Sequence, residues 1–464
     1  MRLIRPVLIT LLALGAVLLG FAAPAAFARA DQSMTFEAPR DLLIAEHRDA
    51  ALAELDSLGV KSLRVILRWK DVAPDGDSAT RPQFDATDPN AYGWGQYDAL
   101  FAAAKARGWS VLVTLSSPVP KWATAAKRDT VTRPSAAEFR QFATAVGRKY
   151  GDQIDTWSVW NEPNLPDFLR PQISRGKAVG PSLYRDLYLA GRAGLHDAGQ
   201  TGDSILFGET APKGGANRLT PIGFIRGALC LDSKYRKRSS CAKVATEGVA
   251  HHAYTTRQGP SFVPKNAEDV TIRVVRRLSK ALDRAARAGA ISANLPLYLT
   301  EFGIQSTPDT LFGVSLLQQN EYRAISERMA RENPRVVAFS QYLLRDDPPG
   351  ENGSHPGFET GLRFDNGKAK PSLAGFRVPL AVRKRKDGQV SIWGLVRPAA
   401  GATTAKLQVS TGGSFRDLRD VTTDARGSFT VTSQGGSNRR WRLRWTTPGG
   451  KVYVGPATRA YDGV

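Results

Sequence analysis

The chain contains 464 residues, of which 42% are hydrophobic and 23% are charged, and it carries a formal net charge of +21. These values exclude a chain too small to bury a large core, are ordinary for a globular protein, and allow two or three domains. The positive charge has three interpretations: nucleic-acid binding, attraction to anionic cell-wall polymers or acidic polysaccharides, and arginine-rich solvated faces without a special function. We expect no nucleic-acid partner.

The first 30 residues have the pattern of an export signal. Arg2 and Arg5 precede an almost wholly apolar run over residues 6–22, and small residues that fit a cleavage site follow. This pattern predicts a secretory signal peptide over residues 1–30, and therefore a secreted, extracellular or cell-wall-associated protein. An uncleaved N-terminal anchor is the alternative. No later segment is apolar enough to span a membrane.

The expected compartment decides how the two cysteines are interpreted. The two cysteines, Cys230 and Cys241, are separated by a short polar segment. In an oxidising compartment this spacing predicts a short-loop disulfide, and two unrelated thiols are the alternative. No cluster of His or Asp stands near them, so we predict no structural zinc site.

Short apolar strands alternate with helices over about the first 340 residues that follow the signal. Strands that are apolar on both faces are typical of parallel sheets, and their number and spacing predict an α/β (β/α)8 barrel over residues 31–374. A doubly wound open sheet is the alternative fold, but no Gly-rich phosphate loop is present. The predicted strands are 34–38, 60–69, 109–116, 154–160, 204–210, 249–255, 297–303 and 336–343, and the predicted helices are 47–58, 97–107, 135–150, 181–198, 270–288 and 319–332.

The pattern changes after Pro371. Runs such as VSIWGLV, GSFTVTS and RRWRLRW are separated by Gly, Asp, Asn and Thr and show no helical period. They predict a small all-β sandwich domain over residues 375–464, with a boundary near Gly375. This domain would bind a glycan or wall polymer, or serve as a spacer.

Two predicted strands each end in a glutamate. The strand at 154–160 leads into Asn161-Glu162-Pro163, where the proline cannot donate to a ladder and ends the strand. The strand at 297–303 places Glu301 two residues before a glycine that lets the chain turn. Catalytic residues of a (β/α)8 barrel lie at such strand ends, so we predict that Glu162 and Glu301 act on a glycosidic bond. The alternative is that each glutamate only caps a strand in solvent.

The sequence around both glutamates is similar to a known group of enzymes. WNEPN at 160–164, together with TEFG at 300–303, resembles the retaining glycoside hydrolases of clan A. The longer WSVWNEPNLPDF is most similar to family 39, with family 5 close behind. The resemblance covers about residues 34–371. It implies that Glu162 on the fourth strand is the acid/base and that Glu301 on the seventh strand is the nucleophile.

The resemblance also implies roles for four polar residues. Asn161 matches the amide that hydrogen-bonds the sugar 2-hydroxyl, and Arg64 matches the second-strand arginine beside the nucleophile. His252 and Tyr254 match the sixth-strand pair, in which the tyrosine positions the nucleophile. Arg64 would stabilise the charge of Glu301, while apolar neighbours would keep the acid protonated.

The aromatic residues that would contact the sugar match the family pattern less closely than the polar residues do. The eighth strand carries Gln341-Tyr342, although the resemblance implies an aromatic platform there, often Trp. Tyr342 is therefore the candidate on that strand. Trp122 is a second candidate, because we expect its Pro-rich loop to lie at the rim, where a Trp can stack on a sugar face.

These observations predict a secreted retaining glycosidase that hydrolyses O-glycosidic bonds of poly- or oligosaccharides by double displacement. The two-carboxylate mechanism requires no metal ion or organic cofactor, so none is predicted. A non-catalytic carbohydrate-binding or cell-surface protein on the same barrel is one alternative. A cell-wall transglycosylase with the same residues is another.

Overall fold

Eight parallel strands close into a barrel in a computed structural model, which describes residues 32–238, 240–351 and 354–462. Each strand pairs with its neighbours in chain order, and the last pairs with the first. The predicted (β/α)8 fold is confirmed, with strand bounds close to the predicted ones. The strands are β1 (Ser33–Glu37), β2 (Ser62–Arg68), β3 (Ser110–Ser116), β4 (Thr156–Val159), β5 (Ser204–Thr210), β6 (Gly248–His252), β7 (Leu297–Glu301) and β8 (Val336–Tyr342).

Helices surround the barrel. They are α1 (Pro39–Leu42), α2 (Ala45–Ser57), α3 (Trp69–Val72), α4 (Gly95–Ala106), α5 (Ala136–Tyr150), α6 (Gly180–Asp197), α7 (Pro221–Ala228), α8 (Val275–Arg287), α9 (Leu316–Glu332) and α10 (Pro371–Arg377). The sequence did not predict α1, α3, α7 or α10, because helices of four to eight residues are too short to display a 3.6-residue period. Helix α8 begins later than predicted, because a 3-10 turn over Ile272–Val274 precedes it.

The predicted signal peptide over residues 1–30 lies outside the described residues. Over the ranges that the structure describes, no helix is long and apolar enough to cross a membrane.

Two sheets follow the barrel, as the sequence predicts, and their strands pair antiparallel except that Leu380–Lys384 and Ala460–Tyr461 pair in parallel. The first sheet has the order β13-β10-β9-β16 and the second has the order β12-β11-β14-β15, and apolar residues from both sheets form one shared core. The predicted domain boundary near Gly375 falls inside α10. The strands are β9 (Leu380–Lys384), β10 (Gln389–Leu395), β11 (Thr404–Ser410), β12 (Arg416–Thr422), β13 (Ser428–Gln434), β14 (Arg440–Thr446), β15 (Val452–Val454) and β16 (Ala460–Tyr461).

The first sheet also packs against a helix of the barrel. Trp393 and Leu395 on β10 are buried with Ala324 and Ile325 of α9, while alternate residues of the same strand face the sandwich core. Burial on both faces explains why β10 reads as a nearly continuous apolar run.

A buried ion pair lies beside this contact. Glu327 of α9 accepts hydrogen bonds from Arg397 at 2.7 Å and from Arg323 at 3.1 Å. Burial opposes the charge of Glu327, but Arg397 and Arg323 lower its pKa to about 2. Arg323 also donates to Gln341 on β8 at 2.8 Å, and Gln341 in turn donates to the carbonyl of Thr360 at 3.1 Å. A chain of hydrogen bonds thus runs from Arg397, just after β10, to Thr360 in the loop that follows β8.

The predicted disulfide is present. Cys230 and Cys241, 11 positions apart, are bonded to each other in the segment between α7 and β6. Replacing both cysteines by serine should lower the free energy of unfolding by about 3 kcal/mol, because an open loop of this length gains conformational entropy in the unfolded chain. Denaturant unfolding of the two proteins would measure this difference. Reduction of the unmodified protein should give the same loss, and an unchanged midpoint in both experiments would contradict the prediction.

Candidate active site

Charged side chains converge at the C-terminal end of the barrel. Glu37 and Glu301 are the last residues of β1 and β7, and Glu209 lies near the end of β5. Glu162 follows β4 after a two-residue turn. Because all eight strands are parallel, these strand ends meet on one rim, where the residues of (β/α)8 enzymes act.

Glu301 is held at both carboxylate oxygens. The Tyr254 hydroxyl donates to Oε1 at 2.8 Å, and Arg64 Nη1 donates to Oε2 at 3.0 Å. The Glu301 side chain keeps 10% of its surface exposed. Burial, and then the charge of Glu301, raises the pKa of Tyr254 well above its ordinary value, so this hydroxyl remains a donor. An oriented carboxylate with an accessible edge has the geometry that a nucleophile needs.

Glu162 lies beside the same imidazole as Glu301. His252 Nδ1 is 3.0 Å from Glu162 Oε1 and 3.6 Å from Glu301 Oε2. The separation of those two oxygens therefore cannot exceed the sum of these distances. This upper limit allows the carboxyl separation of ~5–5.5 Å that retaining glycosidases have. It only reaches the lower end of the ~6.5–9.5 Å separation that inverting glycosidases have.

The pKa shifts of Glu162 and His252 both favour the protonated form of each group. Burial, and then the neighbouring Glu301, raises the pKa of Glu162, although contact with His252 lowers it. Burial lowers the pKa of His252, but the contacts with Glu301 and Glu162 together raise it by more than burial lowers it. The pKa of His252 therefore lies above its ordinary value. A carboxyl group that stays protonated at neutral pH can serve as a general acid.

Left-handed backbone conformations at two strand ends set the directions of the Glu162 and Glu209 side chains. Glu162 has φ 40° and Glu209 has φ 49°, a region that residues other than glycine rarely adopt. Glu162 N–H donates to the carbonyl of Glu209 at 3.0 Å, so the two turns support each other. Gly208, at φ 120°, begins a register shift between β5 and β6, and a Cβ there would lie 2.5 Å from the Ala250 oxygen. Only glycine fits that position.

Two buried glutamates complete the site, and sequence reasoning missed both. Arg64 donates to Glu37 through Nη1 and to Glu209 through Nη2, the latter at 2.7 Å. Thr114 also donates to Glu209, at 3.0 Å. Burial raises the pKa of Glu37 to about 7, although Arg64 lowers it. Both glutamates stand at the ends of predicted strands, so the reasoning that selected Glu162 and Glu301 could have selected them.

Asn161 also contacts Arg64. Its Oδ1 accepts from Arg64 Nη2 at 2.7 Å, and its backbone N–H donates to Ser116 Oγ at 2.9 Å. With the amide oxygen facing Arg64, the Nδ2 hydrogens are directed away from the guanidinium. They can donate to a substrate hydroxyl.

Aromatic rings form one wall beside Glu301. Tyr342, at the end of β8, meets Phe358 edge to face with ring centroids 5.2 Å apart. Phe358 also lies 6.1 Å from the Tyr254 ring and keeps 39% of its surface exposed. Sequence reasoning missed Phe358, because it reaches the site from the long loop after β8 rather than from a strand.

Trp122 does not belong to this aromatic wall. Its side chain is only 5% exposed, and its indole N–H donates to the Pro74 carbonyl at 3.1 Å. Trp69 and Phe84 pack edge to face against it, at 5.8 and 5.9 Å between centroids. Because these contacts bury the ring beneath the surface, the structure does not place Trp122 where a sugar could stack on it.

Comparisons with known proteins show which families and folds this chain resembles. Glycosyl hydrolase family 1 matches residues 45–170, which include Glu162. No curated protein matches the chain significantly. A glucosidase from Croceicoccus marinus has a TM-score of 0.54 and 11% identity, over 93% of this chain and 97% of that one. A monomeric β-xylosidase from Caulobacter crescentus has a TM-score of 0.51 and 16% identity, over 92% and 96%. A family 39 glycoside hydrolase from Bacteroides cellulosilyticus has a TM-score of 0.53 and 16% identity, over 88% and 80%.

The predicted resemblance to clan A glycoside hydrolases is confirmed. That resemblance implies a carbohydrate substrate, and the fold is like that of family 39 enzymes. The structural likeness extends past the barrel into the C-terminal sheets, because the aligned share of the chain is larger than the barrel.

We expect His252 to set the alkaline limit of activity. If Glu162 is the general acid that the sequence predicts, activity falls as the pH rises through the pKa of that group. Contact with His252 lowers this pKa. His252→Gln removes the positive charge, so the alkaline limb of the kcat/KM profile should move to higher pH, by roughly one unit. His47→Gln on α2 is the control and should leave the profile unchanged. A limb that moves to lower pH in His252→Gln would contradict this role.

Proposed function

We propose that the chain is a secreted retaining glycosidase that hydrolyses O-glycosidic bonds of poly- or oligosaccharides by double displacement. The observation that carries this proposal is the pair of carboxylates at 3.0 and 3.6 Å from one imidazole nitrogen. Glu301 is fixed by two donors, whereas Glu162 has a raised pKa. Different environments for two close carboxyl groups support different roles for them.

In the first step Glu301 attacks the anomeric carbon as the bond to the leaving oxygen breaks. Glu162 transfers its proton to that oxygen, so the alcohol leaves neutral and a glycosyl-enzyme ester remains. In the second step Glu162, now a carboxylate, takes a proton from water, and the resulting hydroxide oxygen attacks the anomeric carbon. The ester bond breaks, and Glu301 and the protonated Glu162 are regenerated. Two inversions retain the configuration of the anomeric carbon.

Asn161 supports the transition state of both steps in this mechanism. Arg64 fixes the amide through Oδ1, and Nδ2 donates to the sugar 2-hydroxyl. That hydrogen bond strengthens as positive charge develops on the sugar ring.

The stereochemistry of the first product tests the mechanism. Two of the structural relatives are a glucosidase and a β-xylosidase, so aryl β-glucosides and β-xylosides come first in a substrate panel, followed by soluble β-glycans. Proton NMR of a productive reaction should show the β-anomer before mutarotation. An α-anomer formed first would contradict the retaining mechanism, and no turnover across the panel would favour a binding protein.

Phe358 should contribute to sugar binding rather than to chemistry. Phe358→Ala removes an exposed ring next to Tyr342 and Tyr254, and we expect KM to rise about tenfold with kcat changed less. Phe358→Tyr keeps the ring and should restore KM. Leu311→Ala, at an exposed loop residue, is a surface control. An equal loss of kcat in Phe358→Ala and Phe358→Tyr would contradict a stacking role.

We further propose that the exported protein binds anionic wall polymers through its second sheet. Arg440, Arg442 and Arg444 alternate along β14 and point away from the sandwich core. The Arg442 guanidinium lies 4.1 Å from the centre of the Phe415 ring and its Nε donates to Gln408 at 2.7 Å, so this side chain is held against the sheet surface. Co-sedimentation with insoluble polygalacturonate should be salt-sensitive and should weaken when the three arginines are replaced by glutamine. Undiminished binding by that variant would contradict this surface.

A further inference from the structure

Every donor of Arg64 is already in use. Nη1 donates to Glu37 and Glu301, Nη2 donates to Asn161 and Glu209, and Nε donates to Glu209 at 3.4 Å. A guanidinium has five N–H groups, and these five hydrogen bonds account for all of them. The Arg64 side chain is also fully buried. Arg64 therefore lies beneath the reaction centre but has no donor left for a substrate carboxylate.

Carboxylates outnumber the basic groups around Arg64. Three carboxylates, those of Glu37, Glu209 and Glu301, contact this one guanidinium. His252 is the other basic group in contact with Glu301. Even with His252 protonated and Glu162 neutral, three ionised carboxylates exceed the two positive charges. With Glu162 neutral, the charges balance only when Glu37 and His252 are both protonated, and every other state of these two groups leaves at least one negative charge in excess.

We propose that Glu37 and Glu209 make the sugar site selective for neutral and cationic glycosides and exclude uronides. This inference rests on the proposed glycosidase function. By occupying Arg64, the two glutamates remove the cation that could pair with a sugar carboxylate, and they add negative charge near the anomeric carbon. That charge stabilises the positive charge of an oxocarbenium-like transition state. It repels a carboxylate carried on the same sugar ring, because like charges in a desolvated site interact strongly.

Matched substrates test the selectivity. 4-Nitrophenyl β-glucoside and β-glucuronide differ only at carbon 6, and the galactoside and galacturonide form a second such pair. For the unmodified enzyme we expect kcat/KM to be at least about 100-fold higher for the neutral member. Glu209→Gln removes one charge at nearly constant volume and should narrow that ratio by about tenfold. A uronide hydrolysed within tenfold of its neutral partner by the unmodified enzyme would overturn the proposal.

Two variants separate charge from packing. Glu209→Asp keeps the charge, and Thr114→Val removes the other hydrogen bond of Glu209 without changing charge. Both should lower activity yet leave the neutral-to-uronide ratio near that of the unmodified enzyme. A ratio that collapses equally in Thr114→Val and Glu209→Gln would mean that packing, not charge, sets the preference.

A binding experiment distinguishes failure of this inference from failure of the proposed function. Calorimetry would compare 1-deoxynojirimycin, a cation near neutral pH, with its neutral lactam. We expect the cation to bind at least about tenfold more tightly, and Glu209→Gln to reduce that difference. Such a preference without turnover of any glycoside would contradict the catalytic proposal but retain the charge selectivity. Equal affinity, or binding of neither compound, would overturn the inference.

Discussion

Replacing Glu301 by alanine should lower kcat for an activated aryl glycoside by about 10⁴-fold or more, because the variant cannot form the glycosyl-enzyme ester. The carboxylate is held by Arg64 at 3.0 Å and by Tyr254 at 2.8 Å, so neither neighbour can replace it as a nucleophile. Initial rates with 2,4-dinitrophenyl glycosides would measure the loss. Added azide should enter the vacated space and give an α-glycosyl azide, since it attacks from the face of the missing carboxylate.

Tyr254→Phe is the matched control for this experiment. It keeps the nucleophile and removes one hydrogen bond to Oε1, so we expect a loss of about 10- to 100-fold that azide does not restore. A folded Glu301→Ala protein with a tenth of the original activity would exclude Glu301 as the nucleophile.

Replacing Glu162 by alanine should give a loss that depends on the leaving group. For a glycoside with an alkyl or sugar leaving group, kcat/KM should fall by about 10³-fold, because no acid protonates the departing oxygen. For a 2,4-dinitrophenyl glycoside, which needs no protonation, kcat/KM should change little. Deglycosylation should then limit kcat, because no base activates water.

Azide distinguishes this role from that of Glu301. With Glu162→Ala and an activated substrate, azide should raise kcat and give a β-glycosyl azide, because it replaces water in the second step. Glu162→Gln, which keeps the size of the side chain, should show the same dependence on the leaving group. A uniform loss for good and poor leaving groups would show that Glu162 is not the general acid.

The sequence predicts the barrel and the two strand-end glutamates for physical reasons. Strands buried on both faces read as apolar runs, and Pro163 marks the end of one of them. Glu37 and Glu209 carry the same strand-end signal. Their pairing with Arg64, however, depends on which side chains point into the barrel from strands that are distant in the chain.

Loop conformation accounts for the residues that sequence reasoning misplaced. Phe358 reaches the site from an irregular segment whose path no periodicity describes, although Phe358 N–H bonds to Asp347 at 2.8 Å. Trp122 follows two prolines, which indicates a turn but not the burial of the ring against Trp69. Local sequence therefore predicts helices and strands better than it predicts the path of a loop between them.

The ion pair between α9 and the first sheet limits how this enzyme can be trimmed or recombined. Glu327 joins Arg397 to Arg323, and Arg323 holds Gln341, next to the aromatic wall of the site. An expression fragment that ends at α10 would lack Arg397 and would expose Ala324 and Ile325. The C-terminal sheets therefore help to hold the strand that carries the aromatic wall. An expression fragment or a module swap should keep these sheets together with the barrel.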